Sequence, residues 1–442
     1  MKTTLVTLAM MLSAGHAAAQ EVAFNDHFED RTLRIDYIFA GDSAHQAIYF
    51  QEASCMNTWA GRRHHLSRPL LTGNGQVEVI DPTTNEVIYA NSFSTLFQEW
   101  QSQEEATRVH KAFENVLMVP FPKHLVDIRV SLTDVHQKVS ASLTHAINPK
   151  DILIRPLGHP SVTSRYTLKS GTPDHCIDIA IIADGYTEQE QDKFFLDAQR
   201  ATDVLMGHEP FKSRKGQFNI VAVATPSTES GVSVPHSQAW KNTALRTHYD
   251  TFYSDRYLTT SDMRHIYDQL SDVPFEHIIV LINTPIYGGG GIYNSVMFSS
   301  SDHPTFRQVF VHEFGHSFAG LGDEYFYDDQ YSSMYPADTE PWEPNLTTLV
   351  DFDSKWKDML SKKTPVPTPP ADIPNYRTAS TPKELKALND ATQRVGVFEG
   401  GGYQSKGVYR PAQECRMKVN EVEHFCPVCT RAIIRMIDYY TE

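Results

Sequence analysis

Past its first twenty residues the chain has no apolar run approaching the ~20 residues that a membrane-spanning helix needs, so no span is expected in the mature protein. An excess of positive charge is missing too: 39 Lys and Arg stand against 54 Asp and Glu, a formal net charge of −15. With the acids spread along the chain, this balance argues against broad capture of nucleic-acid phosphates or anionic lipid. Protein, peptide or small-molecule partners are expected instead. Biased composition is absent as well, since 40% hydrophobic and 21% charged residues with 23 Gly and 25 Pro describe an ordinary globular protein. Collagen-like, disordered and coiled-coil readings therefore fall away. No internal repeat is evident, and 442 residues are too many for one small module. Two domains, or a large enzyme domain with an accessory module, are the expectation. Nothing in the sequence sets an oligomeric state.

Cysteine is scarce. The five are Cys55, Cys176, Cys415, Cys426 and Cys429, an odd number that cannot all pair internally. Their compartment is suggested by the first residues. Lys2 precedes a mostly apolar run from Leu5 to Leu12, and small residues follow up to Ala17, Ala18 and Ala19. That order is that of a secretory signal peptide over residues 1–19, with the mature chain beginning at Gln20. No Cys follows the small residues, so a lipoprotein anchor is not expected. Export to a periplasm, cell surface or medium would favour a short-loop disulfide between Cys415 and either Cys426 or Cys429. With His424 alongside, the same three cysteines could instead hold a structural zinc ion.

Residues 20–155 read as strands and turns. Val126, Ile128, Val130 and Leu132 alternate with polar residues, and Gln76 to Ile80 and Val87 to Ala90 flank the Asp81-Pro82-Thr83-Thr84-Asn85 turn. An all-β, sandwich-like accessory domain fits, and no catalytic signature appears in it. A passage rich in Pro, Ser and Thr at about 155–175 marks a boundary. Beyond it, over 170–442, short Val- and Ile-rich runs at Ile177 to Ala183, Phe218 to Ala224 and His277 to Ile282 alternate with helical patterns. One such helix follows a Thr187/Glu190 capping box. The second domain is thus α/β, its sheet at least partly parallel. Five prolines in 363–374 predict an extended surface loop.

The chemistry is concentrated at His312-Glu313-Phe314-Gly315-His316. On a helix, two imidazoles at i and i+4 share one face and can share one metal ion, with Glu313 beside it as a general base. Phe306, Val309, Phe310 and Val311 before the motif and Phe318 and Ala319 after it predict a buried helix. Three polar side chains on such a helix would cost several kcal/mol if left unpaired. Gly320 and Gly322 stop the helix, and the reversal there could return a carboxylate, Asp323 or Glu324, as third ligand with a fourth position open.

Together with Gly407-Val408-Tyr409-Arg410-Pro411, Cys415-Arg416-Met417 and Phe425-Cys426-Pro427-Val428-Cys429, the stretch His312 to Tyr325 resembles the igalysins, the IgA-peptidase-like metallopeptidases of the metzincin clan. The resemblance covers about residues 170–442, and the N-terminal module is similar to the domain that accompanies this family. It implies a metzincin-like zinc-protease fold, His312 and His316 as zinc ligands, Glu313 as general base and Met417 as the methionine of the turn beneath the metal. One departure stands out. The general metzincin pattern puts the third ligand ten residues after the first, whereas Asp323 comes at 323 − 312 = 11. Asp323 is the favoured ligand and Glu324 its competitor.

The resemblance also implies a substrate-binding edge strand upstream of the helix, for which Gly288 to Gly291 and the following Ile292 to Phe298 are suitably placed. No Gly-Lys-Ser/Thr follows these glycines, so they do not read as a phosphate loop. Tyr409, near the methionine turn, is a candidate to stabilise an oxyanion. Isolated histidines such as His64, His65 and His277 read as surface or core residues. The expectation is a secreted endopeptidase with one catalytic zinc ion, acting on protein or peptide substrates. Its rivals are a secreted binding protein or adhesin carrying a degenerate protease domain, and a gluzincin-type aminopeptidase.

Overall fold

A computed structural model describes residues 21–158, 162–327 and 334–442. The expected signal segment lies outside them, apart from which the chain is followed almost throughout. A single turn, α1 (Phe24–His27), leads into seven strands: β1 (Phe28–Gly41), β2 (Gln46–Met56), β3 (Gly75–Asp81), β4 (Glu86–Phe93), β5 (Lys111–Pro122), β6 (Val126–Thr133) and β7 (Val139–Ile147). β6 shows the alternation read from its sequence, every second residue being buried. The β3–β4 hairpin closes at the expected turn. Two four-stranded sheets result, in the orders β5-β1-β2-β8 and β4-β3-β6-β7, where β8 is the short Arg155–Pro156. Their facing sides share one core, with Leu33, Ile35 and Tyr37 from one sheet and Val79, Ile128 and Val130 from the other. Period-two burial on both sheets accounts for this packing.

The second part is built on a six-stranded sheet, ordered β13-β14-β12-β10-β11-β9. Its strands are β9 (Thr163–Lys169), β10 (Ile177–Asp184), β11 (Phe218–Ala224), β12 (His277–Ile282), β13 (Gly289–Gly291) and β14 (Val296–Ser300). The four inner strands run parallel, and β9 and β13 close the two edges antiparallel. Thr163 to Lys169, inside the passage expected to be a boundary, is thus a strand of this sheet. β10, β11 and β12 are buried along their whole length, as strands covered on both faces must be. Ile177, Ile179 and Ile181 face one core, shared with α3 (Gln191–Met206), α5 (Phe306–Ala319) and α7 (Pro427–Thr441). Ala180 and Ile182 face another, shared with α4 (Met263–Gln269) and with Met56 and Val116 of the N-terminal sheets. The fold is therefore mixed α/β with several sheets behind an N-terminal β region.

The two parts are joined by polar contacts as well. Arg34 pairs with Asp268 at 2.6 Å and Arg264 with Glu114 at 2.9 Å. The Ser94 amide donates to the Tyr293 carbonyl at 2.9 Å, and the Asn294 side chain to the Ser92 carbonyl at 2.7 Å. A third, small sheet of β15 (Phe326–Tyr327), β17 (Tyr403–Arg410) and β16 (Phe398–Gly401) lies beyond α5, with α6 (Pro382–Gln393) between β15 and β16 in the chain. Among the described residues no helix is long and apolar enough to cross a membrane.

Candidate metal centre

From Val309 to Glu324 every residue is buried except His312, Glu313 and His316, which are half-buried. The apolar residues of α5 anchor it in the core, and His312, Glu313 and His316 share the side that is not fully buried. The helix ends at Gly320, in the left-handed region at φ 60°. A side chain there would be strained, and its Cβ would also stand 2.6 Å from the Trp342 ring. This reversal brings Asp323 back to the histidines.

His312 Nε2 and His316 Nε2 are 3.0 Å apart, and Asp323 Oδ1 lies 3.1 and 3.2 Å from them. Each imidazole is oriented from behind. His312 Nδ1 is 3.0 Å from the Arg416 carbonyl oxygen, and His316 Nδ1 is 2.5 Å from that of Leu321. A carbonyl oxygen only accepts, so each Nδ1 carries a hydrogen and each Nε2 is the atom turned toward Asp323. Two imidazole nitrogens and a carboxylate oxygen then face one point, a donor set that can hold a metal ion. Bonds of ~2.0–2.1 Å in a tetrahedral zinc site separate ligand atoms by about 3.3 Å, close to the spacing found. Two imidazoles and a carboxylate suit zinc chemically as well.

The surrounding charges agree. Burial alone would raise the Asp323 carboxyl, but His316 and His312 hold it well below the usual carboxylate range. Burial would lower His316, yet Asp323 pushes it up to about 9 when no cation is present. Glu313 is raised, chiefly by burial, with the two histidines opposing. That is the direction a group needs to accept and return a proton near neutrality.

Met417 lies under the helix: a Cβ on Gly315 would stand 2.9 Å from its sulfur. Its carbonyl accepts from the Glu324 amide at 2.8 Å, tying the turn to the residue after Asp323. Asp323 and Glu324, competitors in sequence, point apart. Asp323 faces the imidazoles, while Glu324 Oε1 faces Cys429 Sγ at 3.1 Å and accepts from Asn345 at 3.0 Å.

Tyr409 is half-buried, and its backbone pairs with Thr347 and Glu399. The tyrosine that reaches the triad is Tyr403, at the other end of β17, whose hydroxyl donates to Asp323 Oδ2. They are six positions apart along the strand, about 20 Å of extended chain. The tyrosine at the metal centre is thus Tyr403, not Tyr409. It is held there by the small sheet, since the Gly402 amide donates to the Asp323 carbonyl at 2.7 Å and that of Tyr403 to Tyr325 at 3.0 Å.

The edge strand also differs from expectation. It is Gly289 to Gly291, whereas Val296 to Ser300 is an inner strand paired on both sides. A Cβ on Gly289 would meet Glu313 Cγ at 2.9 Å, and one on Gly291 would meet the Glu313 carbonyl oxygen at 2.5 Å, so only glycine allows the strand so close to the helix. Its outward edge is partly filled by the chain itself: the Gly289 amide donates to Arg256 at 3.3 Å and its carbonyl accepts from Leu258 at 3.2 Å.

One contributor has no sequence signature. Glu99 lies on α2 (Leu96–Gln101) of the N-terminal region and accepts from the Tyr257 hydroxyl. Burial raises its carboxyl to about 7, and it senses His316, Asp323 and Glu313. Through Glu99 the N-terminal region thus touches Tyr257, which lies beside Gly290 of the edge strand.

The comparisons with known proteins agree with this chemistry. Residues 166–389 and 377–437 match the family model described as IgA peptidase M64, and residues 23–144 match the model of the M64 peptidase N-terminus. No curated protein matches the chain.

Proposed function

The chain belongs to the IgA peptidase M64 family, the igalysins, and is a metallopeptidase that hydrolyses peptide bonds; from that premise we propose an exported, metzincin-like zinc endopeptidase with His312, His316 and Asp323 as metal ligands. The observation that carries the reading is the convergence of two Nε2 atoms and a carboxylate oxygen within 3.2 Å of one another. Bound zinc supplies Lewis acidity at that point and makes water nucleophilic near neutral pH.

The chain's own groups do the rest. Glu313 takes the proton from the attacking water at its carboxylate and delivers it to the departing amine. The Arg416 and Leu321 carbonyls fix the imidazole tautomers, and Met417 supports the floor of the site. Tyr403 holds Asp323 by its second oxygen, leaving the first for the metal. A substrate backbone lies along the cleft beside Gly291, whose outward edge continues from the part that Arg256 and Leu258 fill. The leader-like residues 1–19 support export, with a mature chain from Gln20.

Two rivals remain distinguishable. A binding protein has no use for a half-buried Glu313 beside the three donors, and a gluzincin-type aminopeptidase takes its third ligand from a later helix rather than from the turn after the motif. Terminal-residue profiling of products from a mixed protein digest, run with peptides blocked at their N-termini, tests the reading. Cleavage within blocked peptides is expected. Release of residues only from free N-termini would replace it with the aminopeptidase, and zinc-loaded protein without any cleavage would favour binding.

A further inference from the structure

Behind the cleft lies a second group of ligand-type side chains. Cys415, Cys426, Cys429 and Glu324 are all buried, and one potential ligand atom from each lies within 4.8 Å of the others. Cys415 Sγ and Cys429 Sγ are 3.8 Å apart, and none of the three sulfurs is in a disulfide. Bonds of ~2.3 Å from thiolates to a tetrahedral zinc ion place two sulfurs about 3.8 Å apart. His424, the fourth ligand suggested by sequence, has its side chain half in solvent, because the next residue, Phe425, turns into the core. Glu324 takes its place.

The backbone prepares the sulfurs for negative charge. The Cys426 amide donates to Cys415 Sγ at 3.3 Å and the Cys429 amide to Cys426 Sγ at 3.5 Å. Cys426 caps the N-terminus of α7 and Cys429 lies in its first turn, where the helix dipole favours thiolates. Glu324 is fully buried, and its Oε2 has no hydrogen-bond partner. Its surroundings are sulfur, a poor donor, and the Asn345 amide. The Arg410 guanidinium donates to the carbonyls of Glu399, Gly400 and Gln413 and makes no hydrogen bond to Glu324. The ionised form of a carboxyl group so buried is costly unless a cation meets it.

We propose that Cys415, Cys426, Cys429 and Glu324 bind a second, structural zinc ion. Three thiolates select a thiophilic metal, and four protein ligands leave no open position, as in structural sites. Each thiol gives up its proton on binding, and no electron changes hands. The ion ties α7 to the Met417 turn and to the residue beside Asp323, so it fixes the floor and one wall of the proposed catalytic site without touching substrate.

Elemental analysis of the full chain, purified under reducing agent without chelators, decides the matter. Two zinc ions per chain are expected, one in His312→Ala/His316→Ala, and one in Cys429→Ser. Cobalt exchanged into the double histidine variant should show thiolate charge-transfer absorption. If Cys429→Ser does not fold, Glu324→Gln should weaken one zinc at least about tenfold in competition with a graded chelator. One zinc in the wild type and none in the histidine variant would overturn the proposal. So would a disulfide between two of the three cysteines in protein purified without reductant and alkylated under denaturing conditions. A single zinc that survives the histidine changes and is lost with Cys429→Ser would support this site and sink the catalytic reading.

Discussion

Asp323 and Glu324 carry the same charge, are adjacent in the chain and are both buried, yet they serve opposite surroundings. Asp323 meets two half-buried imidazoles. Glu324 meets three sulfurs sealed behind the same helix. Nitrogen and oxygen donors beside open space make a place where substrate can enter, and thiolates closed on every side make a place that only holds. Charge therefore does not decide what a buried acid does here. Its neighbours decide, and the reversal at Gly320 decides which neighbours each acid receives.

If the two clusters are separate in function, the largest effect should come from a residue that belongs to the cleft but binds no metal. Glu313→Gln keeps the size and hydrogen bonding of the side chain but cannot take a proton. Turnover should fall by about 10²–10⁴-fold, with the metal content unchanged. Retention of a tenth of the activity would remove Glu313 as the base. Because burial raises the Glu313 carboxyl, its ionised form is lost as pH falls, and so kcat/KM should fall on the acid side with an apparent pKa above that of an ordinary glutamate. The acid limb should vanish in the Gln variant's residual rate.

Much of the cleft was legible because its geometry is local. His312 and His316 are one helical turn apart, and Gly320 and Gly322 announced the return of an acid. The sandwich was legible from period-two patterns such as Val126 to Leu132. What could not be read depends on distant contacts. Asn345 and Cys429 draw Glu324 away from the histidines, from 21 and 105 positions along the chain. Tyr403 reaches Asp323 across 80 positions, and only the pairing of Phe326 with Tyr403 in the small sheet puts it there. Glu99 sits in a region whose sequence carries no catalytic pattern, and its bond with Tyr257 follows from the packing of the two parts. His424 was suggested by proximity to the cysteines, and the inward turn of Phe425 excludes it.

A smaller effect should separate the two metals directly. Tyr403→Phe removes the hydroxyl that holds Asp323 Oδ2 and leaves the ring in place. Loss of such a supporting hydrogen bond weakens metal affinity by about 10–100-fold. The cleft ion should therefore be stripped by a weaker chelator than in the wild type, while the ion proposed at the cysteines resists as before. Equal loss of both would mean that the clusters are coupled through the Met417 turn and that the separation drawn above is too sharp. No change in either would leave Tyr403 a packing residue.

The smallest effect belongs to a histidine that serves neither cluster. His277 on β12 is buried against the Phe318 and Tyr440 rings, on a different side of α5 from His312 and His316, and its Nε2 has no partner. Burial lowers it from the ordinary 6.5 to about 3. The folded protein thus keeps this ring neutral while the unfolded chain protonates it below about 6.5, so the unfolded state binds more protons in that window. The associated stability is fully present above the unfolded value and is lost as pH falls through the folded one, at no more than about 1.4 kcal/mol per pH unit. His277→Gln should flatten the fall in stability between those limits, measured by urea unfolding at matched metal content. Acid would also strip a metal held by His312 and His316, but it would do so in both proteins, and the difference between their slopes isolates His277. Identical slopes would mean that the ring reaches solvent or a partner on protonation, and that burial alone does not separate an inert histidine from a ligand.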